Sequence, residues 1–104
     1  MRTNDMNDVV LTANVLLEHE VGLHARPSVK LTKLAKTFSA AVEVSPGPDG
    51  PWVDAKSIVK VMATRAPKGT ILHFRASGET AQAALDALVK LVEDDFETGT
   101  GDTD

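Results

Sequence analysis

Apolar residues in this chain recur at two different intervals, and the switching between them narrows the fold. Over residues 9–17 they return at every second position, with Leu11, Ala13, Val15 and Leu17 on one face, as in a half-buried strand. Over residues 25–37 the interval changes, and Leu31, Leu34, Ala35 and Phe38 recur at helical spacing. Alternation comes back in residues 40–45, with Ala40, Val42 and Val44 together. It recurs in the short run 52–55 and in residues 70–76, where Leu72, Phe74 and Ala76 oppose Ile71, His73 and Arg75. A short helix is expected over residues 56–62, and a long one from residue 79 or 80 to about 93 with an apolar stripe of Ala81, Ala84, Leu85, Leu88 and Val92. Phe96 is positioned to pack back on the core just beyond it.

The order is strand, helix, strand, strand, short helix, strand, long helix. A chain of 104 residues makes one small domain, and three helices cannot cover both faces of its sheet. The expected architecture is α+β, a mostly antiparallel four-stranded sheet with the helices on one face. The domain is expected over residues 9–94, with flexible tails at 1–8 and 97–104.

The chain is 42% hydrophobic, enough for a modest core, and has no cysteine, which excludes a disulfide framework and a thiolate metal site. The first residues lack a signal peptide's apolar segment, and no apolar run approaches membrane-spanning length; a cytoplasmic protein is expected, with no membrane partner. A net charge of −4 argues against nucleic acid as a partner. The charge is unevenly placed, however. Arg26, Lys30, Lys33 and Lys36 form a local basic region suited to an acidic partner protein.

The stretch that carries chemistry is Gly22-Leu23-His24-Ala25-Arg26-Pro27-Ser28. Pro27 belongs in a first helical turn, where its missing N–H costs nothing. A helix starting near Ala25 puts His24 at the N-cap, beside the unpaired N–H groups of Ala25 and Arg26. An anion carried on the His24 ring would meet those donors, and Arg26 adds a guanidinium fork suited to phosphate oxygens. The residues alone leave two readings open: a histidine that holds a phosphoryl group, or a surface histidine beside a helix start. Glu18, His19 and Glu20 read as solvated loop residues rather than metal ligands, and His73 as a residue of the sheet surface. Trp52 reads as a packing residue. Ser57 is a good N-cap for the short helix or, alternatively, a regulatory phosphorylation site. Ile58, Val61 and Met62 make an apolar patch divided between core and partner contacts, and Lys60 extends the basic rim. No metal site, cofactor site or nucleotide-binding loop is expected.

Through Gly22-Leu23-His24-Ala25-Arg26-Pro27, the first helix and Lys56-Ser57-Ile58, the chain resembles the histidine-containing phosphocarrier (HPr) family of the bacterial phosphotransferase system. The resemblance implies an open-faced β-sandwich. It implies that His24 accepts a phosphoryl group on Nδ1 from enzyme I, itself charged by phosphoenolpyruvate, and passes it to enzyme IIA-type acceptors. Arg26 would be the family's active-site arginine, with the backbone of Ala25 and Arg26 binding phosphoryl oxygens. Ser57 would be the target of an HPr serine kinase/phosphorylase where one exists. The docking surface would include Lys33, Ile58, Lys60, Val61 and Met62. The protein would act as a monomer and need no cofactor, with catalysis largely supplied by its partners. The alternative role is regulatory, in a nitrogen-related or carbon-control branch that reads the phosphorylation state of His24 and Ser57. The departures are Ala25 where some members carry threonine, Arg65 where many have glycine, a longer turn over residues 46–51 and a different approach loop over residues 18–21.

Overall fold

The structure, a computed structural model, describes residues 9–20 and 22–97. The elements run β1 (Val10–Leu16), α1 (Ala25–Lys36), β2 (Ala41–Ser45), β3 (Val53–Asp54), α2 (Ile58–Ala63), β4 (Ile71–Ser77) and α3 (Ala81–Glu93). The expected tails lie outside the described residues, except that Glu97 is described.

The four strands form one antiparallel sheet in the order β1-β4-β2-β3. Register follows from the alternation. Leu11 faces Ala76, Ala13 faces Phe74 and Val15 faces Leu72 across β1 and β4, while Val42 and Val44 face Ala76 and Phe74 across β2 and β4. A shift by one residue would turn all of these to solvent. The opposite face carries Thr12, Asn14, His73, Arg75 and Glu43, so the sheet is covered on one side only. There Arg75 pairs with Glu43 and lays its guanidinium over the Trp52 ring, 4.3 Å from its centroid. Trp52 is thus a packing residue, as its isolation in the sequence predicts.

The helices cover the other face. α3 lies across β1, β4 and β2, and α1 packs between α2 and α3. Phe74, Leu72, Leu31, Leu85 and Leu88 are fully buried at the centre of this layer. Burying side chains of this size contributes about 1.5–3 kcal/mol each, the main force holding helices to sheet. The expected α3 stripe is buried as read, and Leu91, which that reading omitted, joins it. Among the described residues no helix is long and apolar enough to cross a membrane.

Two expectations need correction. Val61, expected on the docking surface, is fully buried: on a six-residue helix it is the one position turned wholly to the core. Lys30, expected on the basic rim, is half-buried and donates to the Phe96 carbonyl at 2.8 Å. At Arg65, φ is 53°, which explains why a glycine suits this position: the chain turns through the left-handed region after α2, with Arg65 N–H bonded to Met62 O at 3.1 Å.

Candidate functional site

The loop that delivers His24 is held by backbone contacts to the segment before β4. Gly22 has φ of 71°, and a Cβ there would run into the Ala66 carbonyl oxygen and the Pro67 backbone. Only glycine allows this approach. Beside it, Leu23 N–H bonds Ala66 O at 2.8 Å, and the Leu23 side chain is buried. The histidine thus follows two anchored residues.

The helix then begins as Pro27 requires. His24 is the N-cap with extended backbone, and Ser28 N–H makes the first helical bond to His24 O at 3.0 Å. Pro27 has no N–H, so Ala25 and Arg26 carry the two first-turn donors left without a helical acceptor. The His24 side chain makes no capping bond and is exposed. An imidazole beside unused amide donors can carry an anion that those donors would then bind. Arg26 and Ala25 are also exposed, so a partner can reach the whole group.

A second wall comes from the far end of the chain and was not foreseen. His19, read as a solvated loop residue, places Nδ1 2.9 Å from Asp95 Oδ1 and stands edge-on to the Phe96 ring, with centroids 5.6 Å apart. Its ring centroid is 6.3 Å from that of His24. Phe96 is buried, as expected. A small cleft lined by His19, Arg26, Pro27, Lys30, Asp95 and Phe96 opens where these segments meet.

The end of α3 explains how Asp95 gets there. Phe96 N–H bonds Leu91 O at 2.8 Å and Asp95 N–H bonds Val92 O at 3.0 Å, the paired bonds of a Schellman cap. The cap puts Asp95 at the position where glycine is usual, with φ of 56°, and Phe96 follows at 64°. The fold therefore holds two non-glycine residues in the left-handed region against the second wall of the site. Among the described residues no group of three or more histidine, cysteine or acidic side chains could hold a metal ion.

The remaining residues expected in the site sit on the neighbouring helix faces. Ser57 is the N-cap of α2, its hydroxyl accepting from Lys60 N–H at 3.3 Å, as expected from its position. Ile58 and Met62 are exposed to 36% and 37%, and Val59, within the same expected docking segment, to 74%. Lys33 on α1 and Lys60 on α2 are exposed. α1 and α2 pack side by side, so this apolar patch and Lys60 lie on the helix next to the one that carries His24 and Lys33.

The chain matches the family described as "PTS HPr component phosphorylation site" over residues 11–94. It is 39% identical over 85 residues to the phosphocarrier protein HPr of Pseudomonas aeruginosa, covering 82% of this chain and 93% of that one. Among solved structures it is similar to HPr of Thermoanaerobacter tengcongensis, with a TM-score of 0.77, 31% identity, and coverage of 85% of this chain and 97% of that one. It is also similar to Crh, the catabolite repression HPr of Bacillus subtilis, with a TM-score of 0.59, 33% identity, and coverage of 79% and 95%. With the strand and helix order, the exposed N-cap histidine and the matched residues all in agreement, the chain belongs to the HPr family of phosphotransferase-system phosphocarriers.

Proposed function

We propose that His24 is the histidine through which this phosphocarrier transfers its phosphoryl group. The observation that carries the assignment is the exposed His24 ring at the N-cap of α1, free of any capping bond and beside the N–H groups of Ala25 and Arg26, which have no acceptor among the described residues. The neutral ring attacks phosphorus through Nδ1; the N–P bond forms as the bond from phosphorus to the donor breaks. Reversal onto an acceptor regenerates the free ring. Such a transfer is governed by positioning and charge stabilisation. The Ala25 and Arg26 amides, the Arg26 guanidinium and the positive end of α1 supply these.

The donor in this reading is enzyme I, charged by phosphoenolpyruvate, and the acceptors are IIA-type proteins of the cytoplasm. Ile58, Val59 and Met62 would form the apolar centre of the docking face, with Lys33 and Lys60 at its rim meeting acidic partner surfaces. Ser57 would be the site at which a serine kinase/phosphorylase switches this face, since a phosphate on the α2 N-cap adds negative charge beside the patch. The similarity to a catabolite repression HPr favours a second, regulatory reading in which the phosphorylation state is itself the output. Incubation with enzyme I and phosphoenolpyruvate, followed by addition of separate acceptors, tests both. Labelling of His24 with onward transfer supports the carrier, and labelling without transfer to any IIA-type acceptor supports the regulatory reading. No labelling of His24 would overturn the assignment.

A further inference from the structure

We infer that His19 is a positioning residue for the phosphoryl group, donating a hydrogen bond to a phosphoryl oxygen carried on His24 while Asp95 holds its ring from behind. The inference rests on the assignment of the phosphoryl to His24.

Three observations converge. The His19 ring lies 6.3 Å, centroid to centroid, from that of His24, near enough for a tetrahedral group on one ring to meet an N–H of the other. Asp95 accepts at His19 Nδ1, 2.9 Å away, and among the described residues Nε2 has no bonded partner. Asp95 is also kept at a left-handed φ of 56° in a cap where glycine would be unstrained. A side chain retained there needs a reason, and its bond to His19 is the one the structure offers. Phe96 packs edge-on against the His19 ring and is itself buried, so the ring is fixed in orientation as well as in place.

Donation from Nε2 requires a ring protonated on both nitrogens. The groups around it are the Asp95 carboxylate, the His24 ring and, across the cleft, Arg26, Lys30 and Glu97. A phosphoryl group arriving on His24 adds negative charge within reach of the ring that already pairs with Asp95. The ring then has an anionic acceptor for each of its two N–H donors. His19 takes that proton from solvent and keeps it; only the phosphoryl group moves between proteins. The phosphorylated form is stabilised relative to the free one.

The test is the equilibrium phenylalanine and glutamine substitutions establish with phosphoenolpyruvate and pyruvate, using catalytic enzyme I. This ratio of phosphorylated to free protein is a thermodynamic quantity and does not depend on how well the donor docks. A hydrogen bond to a charged group predicts a fall of about tenfold or more in His19→Phe. His19→Gln, whose amide N–H can occupy the place of Nε2, stays within about threefold of the unsubstituted protein if that one bond is kept. Asp95→Gly shifts the equilibrium in the same direction as His19→Phe while its thermal midpoint rises, because glycine relieves the strained cap. The 15N shifts of the His19 ring move toward the doubly protonated pattern when His24 is phosphorylated. An unchanged equilibrium in His19→Phe, or a glutamine variant as impaired as phenylalanine, overturns the inference while leaving His24 as the carrier. Labelling that persists in His24→Ala overturns the assignment beneath it.

Discussion

Gly22 lies against the Ala66 carbonyl so closely that a single methyl group on its Cα would overlap the oxygen. This contact fixes the loop immediately before His24, and with φ of 71° the position is closed to other residues on two counts. Gly22→Ala is expected to lose at least about 1–2 kcal/mol from the left-handed backbone alone, and the overlap adds to this. Phosphoryl acceptance should fall by more than the folded fraction does, because the displaced loop carries the N-cap. Thermal unfolding and a phosphotransfer rate measured on the same sample separate the two effects.

The buried Phe96 anchors the segment after α3 that walls the site. Phe96→Ala should cost about 3–5 kcal/mol, the usual range for emptying a buried phenylalanine site, and should also release the Lys30 bond to the Phe96 carbonyl. Denaturant unfolding reports the stability change. Loss of less than about 1 kcal/mol would mean that this end is not part of the cooperative unit.

On α2 the core and the proposed docking face are two residues apart, at Val61 and Val59. Val61→Ala should destabilise by about 1–3 kcal/mol, since it leaves a cavity under a fully buried position. Val59→Asp should leave stability within about 0.5 kcal/mol but raise the KM for phosphoryl transfer from enzyme I, because a charge replaces the most exposed apolar side chain of the patch. Unfolding midpoints and steady-state kinetics on the two variants check this division directly.

Ser28 Oγ is fully buried and has no hydrogen-bond partner among the described residues. Ser28→Ala removes an unsatisfied hydroxyl from α1 and adds helix propensity. The variant is expected to be more stable by about 1 kcal/mol with phosphoryl transfer unchanged. A fall in the thermal midpoint would show that the hydroxyl has a partner in solution.

The elements were legible in the sequence because their signals are local. Leu72, Phe74 and Ala76 announce which face of β4 is buried, Pro27 announces where α1 starts, and that start alone places His24 at an N-cap. Ser57 was legible for the same reason, since a cap is set within four residues. The second wall was not. His19 and Asp95 lie 76 positions apart, and nothing near His19 in the chain distinguishes a paired histidine from a solvated one. Asp95 gives no warning either, because a Schellman cap is normally signalled by glycine. Val61 and Lys30 escaped for a related reason. On a helix of six residues the apolar stripe is too short to fix which side faces inward, and a lysine's long stem lets it reach a carbonyl from another helix end.

The account stands on one imidazole. Incubating the protein with enzyme I and phosphoenolpyruvate, then mapping the modified residue by mass spectrometry under basic conditions, tests it most directly. A single acid-labile phosphate on His24, absent from His24→Ala, is the predicted result. Phosphate found instead on His19 or His73, with His24→Ala still labelled, would contradict it.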